Sequence, residues 1–316
     1  MNICWVTGAY GFIGRRIAKE LSENGHKVLG LGHGAWPSSE SKRWGVEVWL
    51  DGGVTASNLS SLRAKGGNPH EIYHLAGGAS VGLAYQNPLE DFNRTAYTAA
   101  ELLEWVRQES PATKILVAST AAVYGNSQTQ FIKESQLPDP YSVYGYNKLA
   151  LENLCRSYGF NYGLKVAIAR IFSAYGAGLR KQLMWDICTK LSENPSVLKL
   201  GGTGEEVRDW IHVDDAVLAM TKIIGIATDK TPAVNVGTGA GTPVGEIGRN
   251  FVVAWNAGSA SANCRLEFDG KQREGDPFRL VADVSTLNGI GVRPSKQVSV
   301  GIQEFVDWYR NLKFQL

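Results

Sequence analysis

A chain of 316 residues, 44% hydrophobic and 20% charged, has ordinary globular composition and is long enough for one large or two medium domains. A formal charge of +2 offers no broad cationic surface for nucleic acid or an anionic membrane, and no apolar run reaches the ~18 residues of a spanning helix. Cys4, Cys155, Cys188 and Cys264 lie far apart with no C-x-x-C spacing, so neither a disulfide framework nor a metal site is expected, and a reducing cytoplasm fits; no basic stretch precedes the first strand, as it would in a secretory signal.

The first half alternates strand and helix. "NICWVTG" is a short apolar, β-rich run, and "FIGRRIAKELSENG" puts Ile13, Ile17 and Leu21 on one helical face before an Asn24-Gly25 stop. "HKVLGLG" and "VEVWL" read as the second and third strands, followed by a helix around "ASNLSSLRAK" and a fourth strand, "HEIYHLAGG". One long helix is expected over "PLEDFNRTAYTAAELLEWVRQ", then the strand "KILVAST", a helix centred on "YGYNKLALENLCRSYG" and the strand "KVAIARIF". This order predicts an α/β fold, a Rossmann-like doubly wound parallel sheet. From Ser173 the pattern is richer in loops, which predicts a smaller C-terminal α/β substrate-binding lobe. The division expected is a dinucleotide-binding domain over 1–172 plus about 205–240, and a lobe over about 173–204 and 241–316.

Two constellations carry chemistry. Gly8, Gly11 and Gly14 follow Thr7 at a strand-to-helix turn. There the first glycine permits a tight turn, the second a close approach to a pyrophosphate, and the third packing of helix on sheet; the bare amides of the helix N-terminus face the anion. Tyr144 and Lys148 stand one helical turn apart on one face. A free phenol has a pKa near 10, and a neighbouring ammonium favours the phenolate, which makes a usable proton shuttle. Ser119 and Thr120, at a strand's C-terminal end, supply hydroxyls where ligands bind in open α/β sheets.

With these motifs the chain resembles the extended short-chain dehydrogenase/reductases, the nucleotide-sugar epimerase, dehydratase and reductase group. The resemblance runs over nearly the whole chain: Thr7–Gly14, His74-Leu75-Ala76, Asn93, Ser119–Gly125, Tyr144–Lys148, Arg170–Gly176, Arg208 to Asp215, Asn235–Gly239 and Arg273–Asp276. It implies that Thr120 holds a sugar oxygen, Tyr144 is the acid/base, and Lys148 orients the nicotinamide ribose and tunes Tyr144. It places an NAD or NADP cofactor along Gly8, Tyr10, Gly11, Phe12, Ile13, Gly14, Gly32, His33, Leu75, Ala76, Gly77, Asn93, Ser119, Tyr144, Lys148 and Ile171. A nucleotide-diphosphate sugar falls to Ser80, Thr120, Ser173, Lys181, Arg208 and Arg273, the two arginines gripping the diphosphate. It also implies a homodimer through the helices bearing Asn93 and Tyr144, with Tyr97, Leu102, Leu103 and Trp105 as apolar residues on them.

The departures narrow the reaction. Strand two ends at Gly32-His33 with no carboxylate for a ribose 2′-hydroxyl, and Lys42 and Arg43 follow a short loop later, which tilts the expectation to NADP. Family dehydratases carry Asp-Glu after the catalytic threonine; here Ala121 and Ala122 cannot transfer protons. Hydride chemistry at one carbinol centre survives: reduction of a 4-keto sugar nucleotide is the first expectation, C4 epimerisation with bound NAD the second. A non-catalytic NADP sensor or scaffold is the third, opposed by the presence of the tyrosine–lysine pair. Trp185 is expected in the core rather than on a base, and His74 and His212 as strand-end and core residues.

Overall fold

The computed structural model describes residues 1–127, 129–257, 264–271 and 277–313. Its strands are β1 (Ile3–Thr7), β2 (Lys27–Gly32), β3 (Val46–Asp51), β4 (Glu71–His74), β5 (Lys114–Thr120), β6 (Lys165–Ile171), β7 (Ser173–Tyr175), β8 (Val197–Leu200), β9 (Val207–His212), β10 (Ala233–Val236), β11 (Gly241–Pro243), β12 (Arg265–Phe268) and β13 (Arg279–Leu280). The helices are α1 (Phe12–Glu23), α2 (Ser38–Arg43), α3 (Ala56–Gly66), α4 (Val81–Gln86), α5 (Pro88–Phe92), α6 (Thr98–Glu109), α7 (Val143–Tyr162), α8 (Gln182–Glu193), α9 (Val213–Ile223), α10 (Val244–Asn256), α11 (Ser285–Gly289) and α12 (Val298–Lys313).

A seven-stranded sheet runs β3-β2-β1-β4-β5-β6-β10, all pairs parallel. Its strands are apolar on both faces because both are covered. On one face Ile17 and Leu21 of α1 and Val213, Val217 and Met220 of α9 form one core; on the other, Leu59 and Leu62 of α3, Leu102, Leu103 and Val106 of α6, and Leu151 and Cys155 of α7 form a second. Strand order reverses between β1 and β4, so the carboxyl ends of these strands open a crevice. A third core, with Met184, Ile187, Phe251, Ile302 and Phe305, joins α8, α10 and α12 in the smaller lobe. A small sheet of β11, β9, β13 and β7 stands between. It takes Val207–His212, whereas β10 from the same stretch joins the large sheet.

The expected long helix over 88–108 is interrupted by a π-helical turn at Asn93–Tyr97. Its wider turn changes the phase of every side chain around it. Leu102, Leu103 and Trp105 consequently point into the second core, and of the four apolar residues named above only Tyr97, 52% exposed, faces outward. Among the described residues no helix is long and apolar enough to cross a membrane.

Candidate active site

The glycine turn is built as the spacing requires. Gly8 has φ +73°, and a methyl group on Gly14 would sit 2.1 Å from the Gly8 carbonyl oxygen, so neither position accepts a side chain. Gly11 caps α1 without a side-chain hydrogen bond, leaving the first amides of the helix to a ligand. This cradle opens into a cavity of about 1400 Å³. Gly8, Tyr10, Gly11, Phe12, Ile13, Gly14, Gly32, His33, Leu75, Ala76, Gly77, Ser119, Thr120, Tyr144, Lys148 and Ile171 all line it, and so do Ser80, Ser173, Lys181 and Arg208. A cradle that a Cβ would fill, next to unspent helix amides, suits a pyrophosphate dinucleotide.

Tyr144 and Lys148 stand on α7, which begins where the Ser142 hydroxyl accepts from Gly145 N at 3.1 Å. Lys148 is buried, donates from Nζ to the Ala118 carbonyl at 3.0 Å, and lies 5.9 Å from the centre of the Tyr144 ring. Burial lowers its pKa to about 8, against the pull of Asp91 and Glu152. Burial raises the Tyr144 phenol to about 12; a hydrogen bond with Thr120 works the other way, and the charge of Asp91 adds to the rise. The Thr120 hydroxyl also accepts from Ala122 N at 3.2 Å, which fixes it at the end of β5. Two hydroxyls and an ammonium therefore converge on one wall, the equipment for holding a carbinol oxygen and moving its proton.

Behind this wall lies a buried network that the sequence does not announce. Glu152, one turn beyond Lys148, accepts from Ser119 Oγ at 2.6 Å and from Arg170 Nε and Nη2 at 2.9 and 2.7 Å. Arg170 Nη1 donates to the Tyr124 hydroxyl at 2.8 Å, and that hydroxyl donates to Asn235 Oδ1 at 2.7 Å. Both ions are buried, and the charges are paired in bidentate geometry. The lysine-plus-four spacing of Glu152 is the one local signal for it. The Ser119 hydroxyl is thus engaged with Glu152, and β5 is tied to α7 and β6 just beside Thr120.

Several expectations need correction. Asn93 is exposed and off the cavity wall; the π turn rotates it outward. Buried Thr95 takes the inward place, accepting from Gly78 N at 2.9 Å, while Arg94 and Thr98 reach the wall. Lys42 and Arg43 close α2 as exposed residues off the wall, and a carboxylate stands near the end of β2 after all: Asp51 Oδ1 accepts from Gly34 N at 2.9 Å. Arg273 lies outside the described residues. Asp209, next to Arg208 in sequence, is buried and accepts from Thr238 N, Gly239 N and Ala282 N; Asp215 accepts from Ser295 N and Lys296 N. Trp185 packs against Trp308 and Tyr309 in the lobe core. His74 is buried at the end of β4, with Nδ1 2.8 Å from Thr7 Oγ1; burial, then the Lys148 charge, lowers its pKa to about 3 and keeps it neutral. His212 is buried at the end of β9.

The model of the NAD dependent epimerase/dehydratase family matches residues 4–237, most of the chain including the turn and the Tyr144 wall. The chain belongs to this family. Among curated relatives, a probable UDP-glucuronate 4-epimerase of Rhizobium meliloti is 26% identical over 96% of this chain and 96% of its own length. A putative UDP-glucose 4-epimerase of Methanocaldococcus jannaschii is 25% identical over 97% of this chain and 98% of its own. Among solved structures, MoeE5 in complex with UDP-glucuronic acid and NAD superposes with a TM-score of 0.84 at 25% identity, over 98% of this chain and 99% of that one. As a member of the epimerase/dehydratase family the chain is an enzyme of the NAD(P)-dependent nucleotide-sugar class, with a Rossmann-like parallel sheet.

Proposed function

We propose that the chain is a 4-epimerase of a UDP-sugar, with UDP-glucuronate the first candidate and NAD as resident cofactor. The observation that carries this reading is the Thr120–Tyr144–Lys148 wall itself: it holds the means to move one proton at one carbinol oxygen, while the neighbouring Ala121 and Ala122 offer no second acid or base. The names of the relatives support C4 epimerisation over the ketosugar reduction first expected from the sequence. NAD is favoured over NADP because Lys42 and Arg43, the cations expected for a 2′-phosphate, stay off the cavity wall. The NAD in the MoeE5 complex agrees with this.

When bound, the nicotinamide supplies a hydride acceptor at C4 that returns the hydride. In this reading Thr120 and Tyr144 hold the sugar O4 between them, and Tyr144 takes its proton and later gives it back. Lys148 stays charged and lowers the cost of the phenolate. The glycine turn and the amides of α1 hold the pyrophosphate; Lys181 and Arg208, on the lobe side, take the sugar diphosphate, with Ser80 and Ser173 beside it. Incubation with UDP-glucuronate or UDP-glucose, without added nicotinamide, is expected to yield the C4 epimer by NMR, and denaturation is expected to release NAD. Turnover only with a 4-keto sugar nucleotide and stoichiometric NADPH would return the reading to a reductase.

We also propose a two-fold dimer through the face of α4, α5 and α7. Leu83 and Tyr85 of α4, Leu89 and Phe92 of α5 and Tyr146 of α7 stand exposed there, with Tyr97 of the adjoining π turn. Light scattering at micromolar concentration is expected to give twice the chain mass, and Leu89→Asp to give the monomer.

A further inference from the structure

One carboxylate behind the catalytic wall has no part in the mechanism above. Asp91, the fourth residue of α5, is 6% exposed, and its Oδ2 accepts from Asn147 Nδ2 at 2.7 Å. Asn147 sits on α7 immediately before Lys148 and one turn after Tyr144. The other oxygen presses on the loop after β4. A methyl group on Gly78 would meet Asp91 Oδ1 at 1.8 Å, and one on Gly77 would meet Lys148 Nζ at 3.1 Å. The same two methyl positions lie 3.2 and 3.6 Å from Thr95 Oγ1. Carboxylate and ammonium therefore flank consecutive glycines around one threonine. A carboxylate buried with a neutral amide as its hydrogen-bond partner is costly unless a cation stands near, and the cation near it is Lys148.

We propose that Asp91 is a positioning residue for the Tyr144–Lys148 pair: anchored by Asn147, its carboxylate stands across Gly77 and Gly78 from the Lys148 ammonium and supports that charge. The proposal rests on the reading of that pair as the proton-transfer unit. On Lys148 the charge of Asp91 opposes the effect of burial and favours the ammonium; on the Tyr144 phenol the same charge adds to burial, as the last of three causes, so its service to the pair runs through Lys148. The other groups around the pair do not substitute for it. Glu152 on α7 favours the ammonium too but is itself held by Arg170; His74 on β4 is neutral; Arg94 of the π turn is exposed and paired with Glu90; Tyr85 of α4 is exposed. Removing one negative charge lowers the pKa of both lysine and phenol, so Asp91→Asn pulls the alkaline limit of activity toward neutral pH.

The test reads Lys148 directly. The purified chain is acetylated with acetic anhydride across a pH series, and modification of Lys148 is followed by mass spectrometry. The wild-type midpoint is expected near 8. In Asp91→Asn it falls by about one pH unit, the low end for one close charge. Asn147→Ala keeps the charge and is expected to move the midpoint by less than half as much. Asp91→Ser, which also removes the charge, replaces Asp91→Asn if that variant does not fold. The alkaline limb of the turnover profile is expected to move with the midpoint. Labelling needs no sugar, so a chain inactive on UDP-sugars with a displaced midpoint counts against the epimerase reading alone. A midpoint unmoved in Asp91→Asn, or moved equally by Asn147→Ala, overturns the role of Asp91.

Discussion

Lys148 and Lys181 reach the same cavity from supports of different kinds. Lys148 is buried in the second turn of a 20-residue helix, bonded to the Ala118 carbonyl and backed one turn later by the Glu152–Arg170 pair. Lys181 is exposed at the end of a loop and donates across the cleft to the Ala79 carbonyl at 3.2 Å. The next residue, Gln182, has φ 66°, a left-handed conformation that costs a non-glycine residue about 1 kcal/mol or more. In the proposed reading the proton-transfer groups Thr120, Tyr144 and Lys148 are held by regular elements and buried charge, whereas Lys181 is held by a loop and a single hydrogen bond. Proton transfer needs a fixed geometry, whereas the choice of ligand tolerates adjustment.

The comparison breaks most visibly at the buried pair. Arg170→Met leaves the Glu152 carboxylate with half-exposed Arg156 as its ion-pair partner, and is expected to cost about 3 kcal/mol or more of stability. Thermal unfolding measures it, and the double variant Arg170→Met/Glu152→Leu is expected to recover most of the loss. An Arg170→Met chain as stable as wild type would make the network incidental.

Tyr144→Phe sharpens the rigid end. It is expected to keep the fold and cofactor binding and to lower turnover by about 100-fold or more, the scale for removal of a general acid/base. Near-full activity in that variant removes Tyr144 from the mechanism.

Lys148→Met tests the cost of holding an ammonium there. Folded Lys148 titrates near 8 against an ordinary 10.5. Between those values the unfolded chain binds more protons, so stability rises with pH; below 8 the whole cost is present. The variant is expected to be inactive yet more stable at pH 7, by about 3 kcal/mol, with the gap closing as pH rises from 8 to 10.5. A gap independent of pH would show that the lysine carries no such cost.

The loop end should respond least. Lys181→Ala is expected to raise KM about tenfold with kcat little changed, because the grip on the diphosphate proposed for it would act equally in ground and transition states. An equal fall in kcat would place Lys181 at the reacting centre.

What the sequence determined by itself is local. The glycine turn is legible because Gly8, Gly11 and Gly14 fall between an apolar run and a helical one, and the Tyr144–Lys148 pair because one helical turn separates them. Six strands of the large sheet are apolar runs long enough to read. The seventh, β10, lies at the "NVGTG" motif, and its pairing with β6 makes it a strand. Tertiary structure alone decided the rest. Asp91 and Asn147 are 56 positions apart, and Ser119, Glu152 and Arg170 come from three elements. The π turn sets the phase that turns Asn93 outward and Thr95 inward. Periodicity records which face of an element is apolar, but a buried charge is stable only where another element brings its partner, and that partner is chosen by packing across the whole fold.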